Sequence, residues 1–135
     1  MFGVQRLSAI AVMLFGAAIM QPVYAFELTG TWASQADLCK MVFTKKGNEV
    51  VFAELSDLYG SGFIINGNRI RAKAAECTIN SRKQNGDEVE INASCSSSIM
   101  TQNASFLIKV IDDNSFARVM PEIQNMEIRY YRCSL

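Results

Sequence analysis

Tight-turn signals recur along this chain at intervals too short for helices. Lys45-Lys46-Gly47-Asn48, Asn66-Gly67, Gln84-Asn85-Gly86-Asp87 and Asp112-Asp113-Asn114 each separate two short runs of strand-like residues. No run longer than a few residues carries apolar positions at helical spacing, so the chain reads as all-β. The expected hairpins are Lys40–Thr44 with Glu49–Leu55, Phe63–Ile65 with Asn68–Ala75, Glu76–Arg82 with Glu88–Cys95, and Phe106–Ile111 with Ser115–Met120. Ser96–Ser105 reads as a polar connection and Glu127–Cys133 as the last strand. Ser34–Cys39 is the one expected helical turn, capped by Ser34 with Asp37 at the third position of a capping box. About eight strands joined mostly by tight turns form a meander, and closing it into a small antiparallel barrel removes two exposed edges. Residues 26–135 form one domain on this reading, without linker or repeat.

The cysteines fit this hairpin scheme. If Asn85-Gly86-Asp87 is a three-residue loop, residues whose numbers sum to 172 face each other, which sets Cys77 opposite Cys95. Bridging that pair leaves Cys39 for Cys133, closing a loop of roughly 100 residues and contributing about 4 kcal/mol by chain-entropy arithmetic. The spacings resemble no zinc motif, and no Cys-x-x-Cys pair suggests redox chemistry. An even cysteine count read as two disulfides implies an oxidising compartment, periplasmic or extracellular.

The N-terminus supports that compartment. Met1–Arg6 carries one positive charge, Leu7–Met20 is an uncharged apolar run, and Val23-Tyr24-Ala25 places small residues where a signal peptidase reads them. Residues 1–25 are therefore expected to be a cleaved signal peptide. Gln21-Pro22 breaks the apolar run short of the roughly 20 residues a membrane span needs. Cleavage after Ala25 leaves 110 residues, with 12 basic against 13 acidic side chains once Arg6 is lost. A chain so nearly neutral lacks the field that draws proteins to nucleic acid or anionic membranes, so neither is an expected partner.

Catalytic chemistry finds little footing. The chain has no histidine, and no Ser-x-x-Lys stands in the mature part to activate a serine. Asp112-Asp113 and Asp87-Glu88 fall at turns, where acidic residues serve the local backbone. The spacing of a calcium loop is absent. Hence no enzyme, no metal and no cofactor are expected. Asn92-Ala93-Ser94 and Asn103-Ala104-Ser105 match the N-glycosylation acceptor pattern.

The strand faces add detail. Arg69, Arg71 and Lys73 alternate with Ile70, Ala72 and Ala74, and Glu88 and Glu90 alternate with Val89 and Ile91, which reads as one wet and one buried face with a surface ladder of ion pairs. Val50-Val51-Phe52-Ala53 is apolar on both faces. It needs a cover, either the short helical turn or a second copy of the chain, so a homodimer is among the expected states.

Two short motifs carry resemblances. Gly30-Thr31-Trp32 resembles the Gly-x-Trp signature of lipocalin-like barrels, whose indole packs at the closed end beneath a ligand cavity. That resemblance implies a buried Trp32 with an arginine from a late strand over it, Arg129 or Arg132. Tyr59-Gly60-Ser61-Gly62-Phe63, followed by Asn66-Gly67, is similar to the Ser-Gly-x-x-Tyr loop and hairpin of the small periplasmic and membrane-bound inhibitors of c-type lysozyme, which are exported, disulfide-bonded, eight-stranded barrels of Gram-negative bacteria. It implies that Ser61 enters the lysozyme cleft; Ser61 and Gly62 match the motif, while Ile65 stands where the tyrosine belongs.

The functional expectation is a non-catalytic exported binding protein. In the first reading the loop Tyr59–Phe63, with Tyr59, Ser61, Gly62 and Phe63 as contacts, meets a macromolecular partner such as a c-type lysozyme. The alternatives are a lipocalin-like carrier of a small apolar ligand beneath Trp32, or an envelope protein with a structural role. A carrier needs an apolar cavity of roughly 300 Å³ or more, whereas an inhibitor needs a filled barrel and a rigid loop.

Overall fold

The computed structural model describes residues 16–18 and 24–135. The apolar run of the expected signal peptide and its Val23 lie outside the described residues, apart from 16–18. Ten strands follow: β1 (Gly30–Ala33), β2 (Phe43–Lys46), β3 (Glu49–Phe52), β4 (Gly62–Asn66), β5 (Arg69–Arg71), β6 (Ala75–Asn85), β7 (Glu88–Ser97), β8 (Thr101–Asp112), β9 (Ser115–Met120) and β10 (Met126–Arg132). One helical turn, α1 (Cys39–Val42), and 3₁₀ turns at Ala36–Leu38, Ser56–Tyr59 and Pro121–Ile123 complete the described elements. Eight strands close an antiparallel barrel in the order β1-β10-β9-β8-β7-β6-β5-β4. The fold is thus the expected small all-β barrel, and both expected disulfides, Cys39–Cys133 and Cys77–Cys95, are formed.

Several local expectations need correction. The turn after β6 is a two-residue loop, Gly86-Asp87, with Asn85 opposite Glu88. A bulge at Asn80 then shifts the register by one, so Ile79 faces Ala93 and Cys77 faces Cys95. The bridge forms in the expected place because the two departures cancel. The helical turn begins later than Ser34, and Ser34 caps nothing: its N–H donates to Ser61 O at 2.9 Å and its hydroxyl accepts from Ser61 N at 3.1 Å. Lys40–Val42 is therefore helix and not strand. Arg69, Arg71 and Lys73 pair with Glu76, Glu49 and Asp57, and not with Glu88 or Glu90, because β6 stands between β5 and β7.

The hairpin β2–β3 lies outside the barrel as its own two-stranded sheet. Along β1 and β4 the side chains alternate, so Trp32 and Ile65 face the interior while Ala33 and Ile64 face outward. Phe43, Val50 and Phe52 pack over that outward surface with Cys39, Val42 and Tyr59, forming a second core. The cover for the apolar strand is supplied by the chain itself.

Ser96–Ser105 is also more regular than expected. It is the far end of the β7–β8 hairpin, paired from Asn92–Ser105 to Ser96–Thr101. Its outer face is held by polar side chains: Asn80 donates to Ser94 and Ser94 to Asn103, while Asn92 donates to Ser81 and accepts from Ser105. Cross-strand rows of this kind replace the apolar alternation that normally marks a strand. Asn92 and Asn103, the two glycosylation-type asparagines, thus sit within paired strands.

Register fixes the two ends of the barrel. The turns β4–β5, β6–β7 and β8–β9 gather at one end with Phe26 and Thr29, since Phe26 N donates to Gln84 Oε1, Gly67 N to Thr29 Oγ1 and Arg132 to Asp113 O. This end is closed. Trp32 is fully buried, donates from Nε1 to Leu28 O at 2.8 Å, and packs against Phe116 and Phe26. The guanidinium carbon of Arg132 lies 4.3 Å from the Trp32 ring centre and its nitrogens donate to Thr29 O and Glu27 O. Of the two arginines considered for this position, Arg132 occupies it. Gly30 makes the approach possible, because a Cβ there would stand 2.6 Å from Arg132 Nη1.

Candidate functional site

The opposite end is open, and it collects the segment 53–61 and the connections β5–β6, β7–β8 and β9–β10. The loop Tyr59–Phe63 lies there, but most of it is built into the structure. Gly62 is buried where a Cβ would meet Phe43 Cζ and Trp32 O at 2.6 Å each, so no other residue fits. Phe63 is half-buried, its ring centre 4.9 Å from that of Tyr130, and Tyr59 is half-buried against the second core. Gly60 and Ser61 are exposed. Even so, the Ser61 hydroxyl is 3.2 Å from the Tyr130 hydroxyl and its backbone is clamped by Ser34. The loop is therefore rigid.

The interior leaves little room for a ligand. Packing by Ile65, Ile70, Cys77, Ile91, Ile108 and Phe116 leaves an apolar cavity of about 60 Å³, which reaches the open mouth past Phe63, Ala72 and Arg118. Arg118 stacks on Phe106 there, at 4.9 Å. This volume falls far below the roughly 300 Å³ of an ordinary ligand cavity.

A second space lies beside it, separated by Phe63 and Ala72. This groove of about 190 Å³ runs beneath the segment 56–62, between the loop and the β2–β3 hairpin. Val42, Phe52, Phe63 and Ala72 supply its apolar walls, and Ser56, Asp57 and Lys73 its polar ones. Lys73 Nζ is 2.6 Å from Asp57 Oδ1 and 2.9 Å from Glu54 O, and its hydrogen bond holds the Asp57 carboxyl below the usual carboxylate range. Ser56 is 2% exposed, and its hydroxyl has no hydrogen-bond partner among the described residues.

The open end also carries apolar side chains that sequence reasoning passed over. Leu55 precedes the 3₁₀ turn and Leu58, 69% exposed, lies within it. Ile99, 88% exposed, and Met100 form the β7–β8 tip, and Ile123 and Met126 flank the left-handed pair Gln124-Asn125 before β10. The available signal was position: large apolar residues set inside turn segments have nothing on their own strand to pack against.

Among the described residues no group of three or more acidic or cysteine side chains is placed to hold a metal. Asp112 serves its turn, accepting from Asn114 N and Ser115 Oγ at 2.8 Å each. No family model, curated protein or solved structure matches the chain.

Proposed function

We propose that this is a non-catalytic, exported binding protein that engages a macromolecular partner with the open end of its barrel, a c-type lysozyme being the first partner to test. One observation carries the reading: six large apolar residues, Leu55, Leu58, Ile99, Met100, Ile123 and Met126, are exposed on or beside connections at the same end. Apolar side chains concentrated on one face are the usual mark of an interaction surface. The clamped loop Tyr59–Phe63 supplies the pre-ordered backbone that keeps the entropy of binding low. Export is supported by the leader pattern and by the two disulfides, which persist in oxidising compartments. The 60 Å³ interior weighs against the carrier reading.

Two assays test it. Lysis by c-type lysozyme should slow with micromolar wild-type protein and recover with Leu58→Asp, Tyr59→Ala and Ser61→Ala at equal folded concentration. Unchanged lysis removes lysozyme as the partner. The wider reading is tested by capture from envelope extract and host secretions, comparing wild type with the Leu58→Asp/Ile99→Asp double variant. Identical captured proteins from both baits defeat the open-end assignment.

A further inference from the structure

We propose that the methionine sulfurs of the open end, those of Met100 and Met126 first, are an oxidation site at which a peroxide turns this end from apolar to polar; the proposal rests on the open-end reading and names what regulates it. Placement comes first. Residues 26–135 hold four methionines, and three of them, Met100, Met120 and Met126, stand at the open end. Met100, the last residue before β8, is 55% exposed. Met126, 43% exposed, opens β10 directly opposite Met120, the half-buried last residue of β9. Two steps along the same ladder lie Arg118 and Ile128, and two further on the inward-facing Phe116 and Tyr130, so the methionine pair continues the inner face to the barrel mouth. The closed end is plugged by Phe26, Leu28 and Trp32, which carry no sulfur.

The rest of the chain directs an oxidant to these sulfurs. There is no histidine, all four cysteines are already in disulfides, and Trp32 is fully buried. A peroxide therefore meets the thioethers as the most readily oxidised accessible side chains among the described residues. The step balances without a further reactant. The sulfur lone pair attacks one peroxide oxygen, the S–O bond forms as the O–O bond breaks, and the departing hydroxide takes the proton of the transferred oxygen. The thioether is oxidised by two electrons to a sulfoxide, and the peroxide is reduced to water. A sulfoxide is polar, so an apolar partner surface can cover it only by stripping its water without replacing the hydrogen bonds. Leu55, Leu58, Ile99 and Ile123 around it do not undergo this step, so the sensitivity of the surface lies in its methionines. Met41, 43% exposed, sits on α1 and outside these connections, which makes it an internal control.

The test needs no partner. The disulfide-bonded mature protein is treated with hydrogen peroxide for increasing times, mapped by peptide mass, and passed over a phenyl matrix that stands in for an apolar partner surface. Met100 and Met126 should convert several-fold faster than Met120. Retention on the matrix should fall in step with their conversion, while the near-ultraviolet circular dichroism of the aromatic cluster around Trp32 stays unchanged. Met100→Leu/Met126→Leu, which keeps the apolar volume and removes the sulfur, should hold its retention through the same treatment. Met41→Leu should lose retention as the wild type does. Full conversion of Met100 and Met126 without earlier elution overturns the proposal. An equal loss of retention by the leucine double variant does so too, because the responsible sulfoxide then lies elsewhere. A collapsed near-ultraviolet spectrum also overturns it, since the change is then unfolding and not a change of surface. Failure here leaves the open-end reading to stand or fall on the capture experiment, which uses untreated protein.

Discussion

At the closed end of the barrel three turns, at 67–68, 86–87 and 113–114, are short and polar, and side chains tie them to the N-terminal segment. At the open end the segment 53–61 and the connections 72–74, 98–100 and 121–125 are longer, and three of the four point leucine, isoleucine or methionine at solvent. The same strands run through both. The closed end buries Phe26, Leu28 and Trp32, lays Arg132 across the indole and gives four of that guanidinium's contacts to backbone carbonyls. Each large apolar side chain left out at the open end forgoes about 1.5–3 kcal/mol of burial. The contrast is one of position: one end buries the plug of the barrel, and the other leaves large apolar side chains in water.

The largest effect should come from a pair of substitutions in one denaturant titration. Trp32→Ala removes a fully buried indole, its hydrogen bond to Leu28 O and its stack with Arg132, and should cost about 5 kcal/mol. Leu58→Asp, on an exposed position, should change stability by no more than about 0.5 kcal/mol. Equal losses would break the division between the ends.

The cystines rank next. Cys39–Cys133 closes 94 residues and Cys77–Cys95 closes 18, so by loop-closure entropy the first should stabilise by about 4.5 kcal/mol and the second by about 3. Cys39→Ala/Cys133→Ala frees α1 and the second core beside the groove, while Cys77→Ala/Cys95→Ala opens space inside the barrel. A larger loss from the shorter loop would show that packing around Cys77 outweighs chain entropy.

What was legible in the sequence follows the same division. Closed-end turns announce themselves through Gly-Asn, Gly-Asp and Asp-Asn chemistry, which is local, and Gly30-Thr31-Trp32 marks the plug because the backbone at 30, with φ +153°, favours a glycine beneath Arg132. The cysteine pairing could be read because strand pairing around Gly86 is nearly symmetric. The exclusion of β2–β3 from the barrel could not. It depends on Ala33 and Ile64 facing outward to receive Phe43 and Phe52, a long-range fit that no local pattern carries. The same holds at the open end. Tyr59, Ser61, Gly62 and Phe63 read as one loop, yet Phe63 and Gly62 are walls of a groove completed by Phe52 and Lys73 from two other segments. Residues that meet only through tertiary packing leave no spacing to read.

The smallest effect sharpens the comparison through two carboxylates. At the closed end Asp112 is held below the usual carboxylate range, first by the Asn114 N–H and then by the Ser115 hydroxyl. At the open end Asp57 is lowered first by its hydrogen bond from the Lys73 ammonium. In both the folded pKa lies below the unfolded value of about 3.9, so the stability each contributes is fully present above that value and is lost as pH falls through the folded pKa. The two should respond differently to salt. At 1 M ionic strength the screening length shrinks to about 3 Å, which weakens the attraction between Lys73 and Asp57 but barely touches hydrogen bonds from a neutral amide and hydroxyl. Titrating the carboxyl ¹³C shifts from pH 6 to pH 2 at low and high salt should show the Asp57 midpoint rising toward its ordinary value while that of Asp112 stays in place. Equal movement of both midpoints would mean that Lys73 does not pin the segment 56–59, and the rigidity ascribed to the rim of the groove would lose one of its supports.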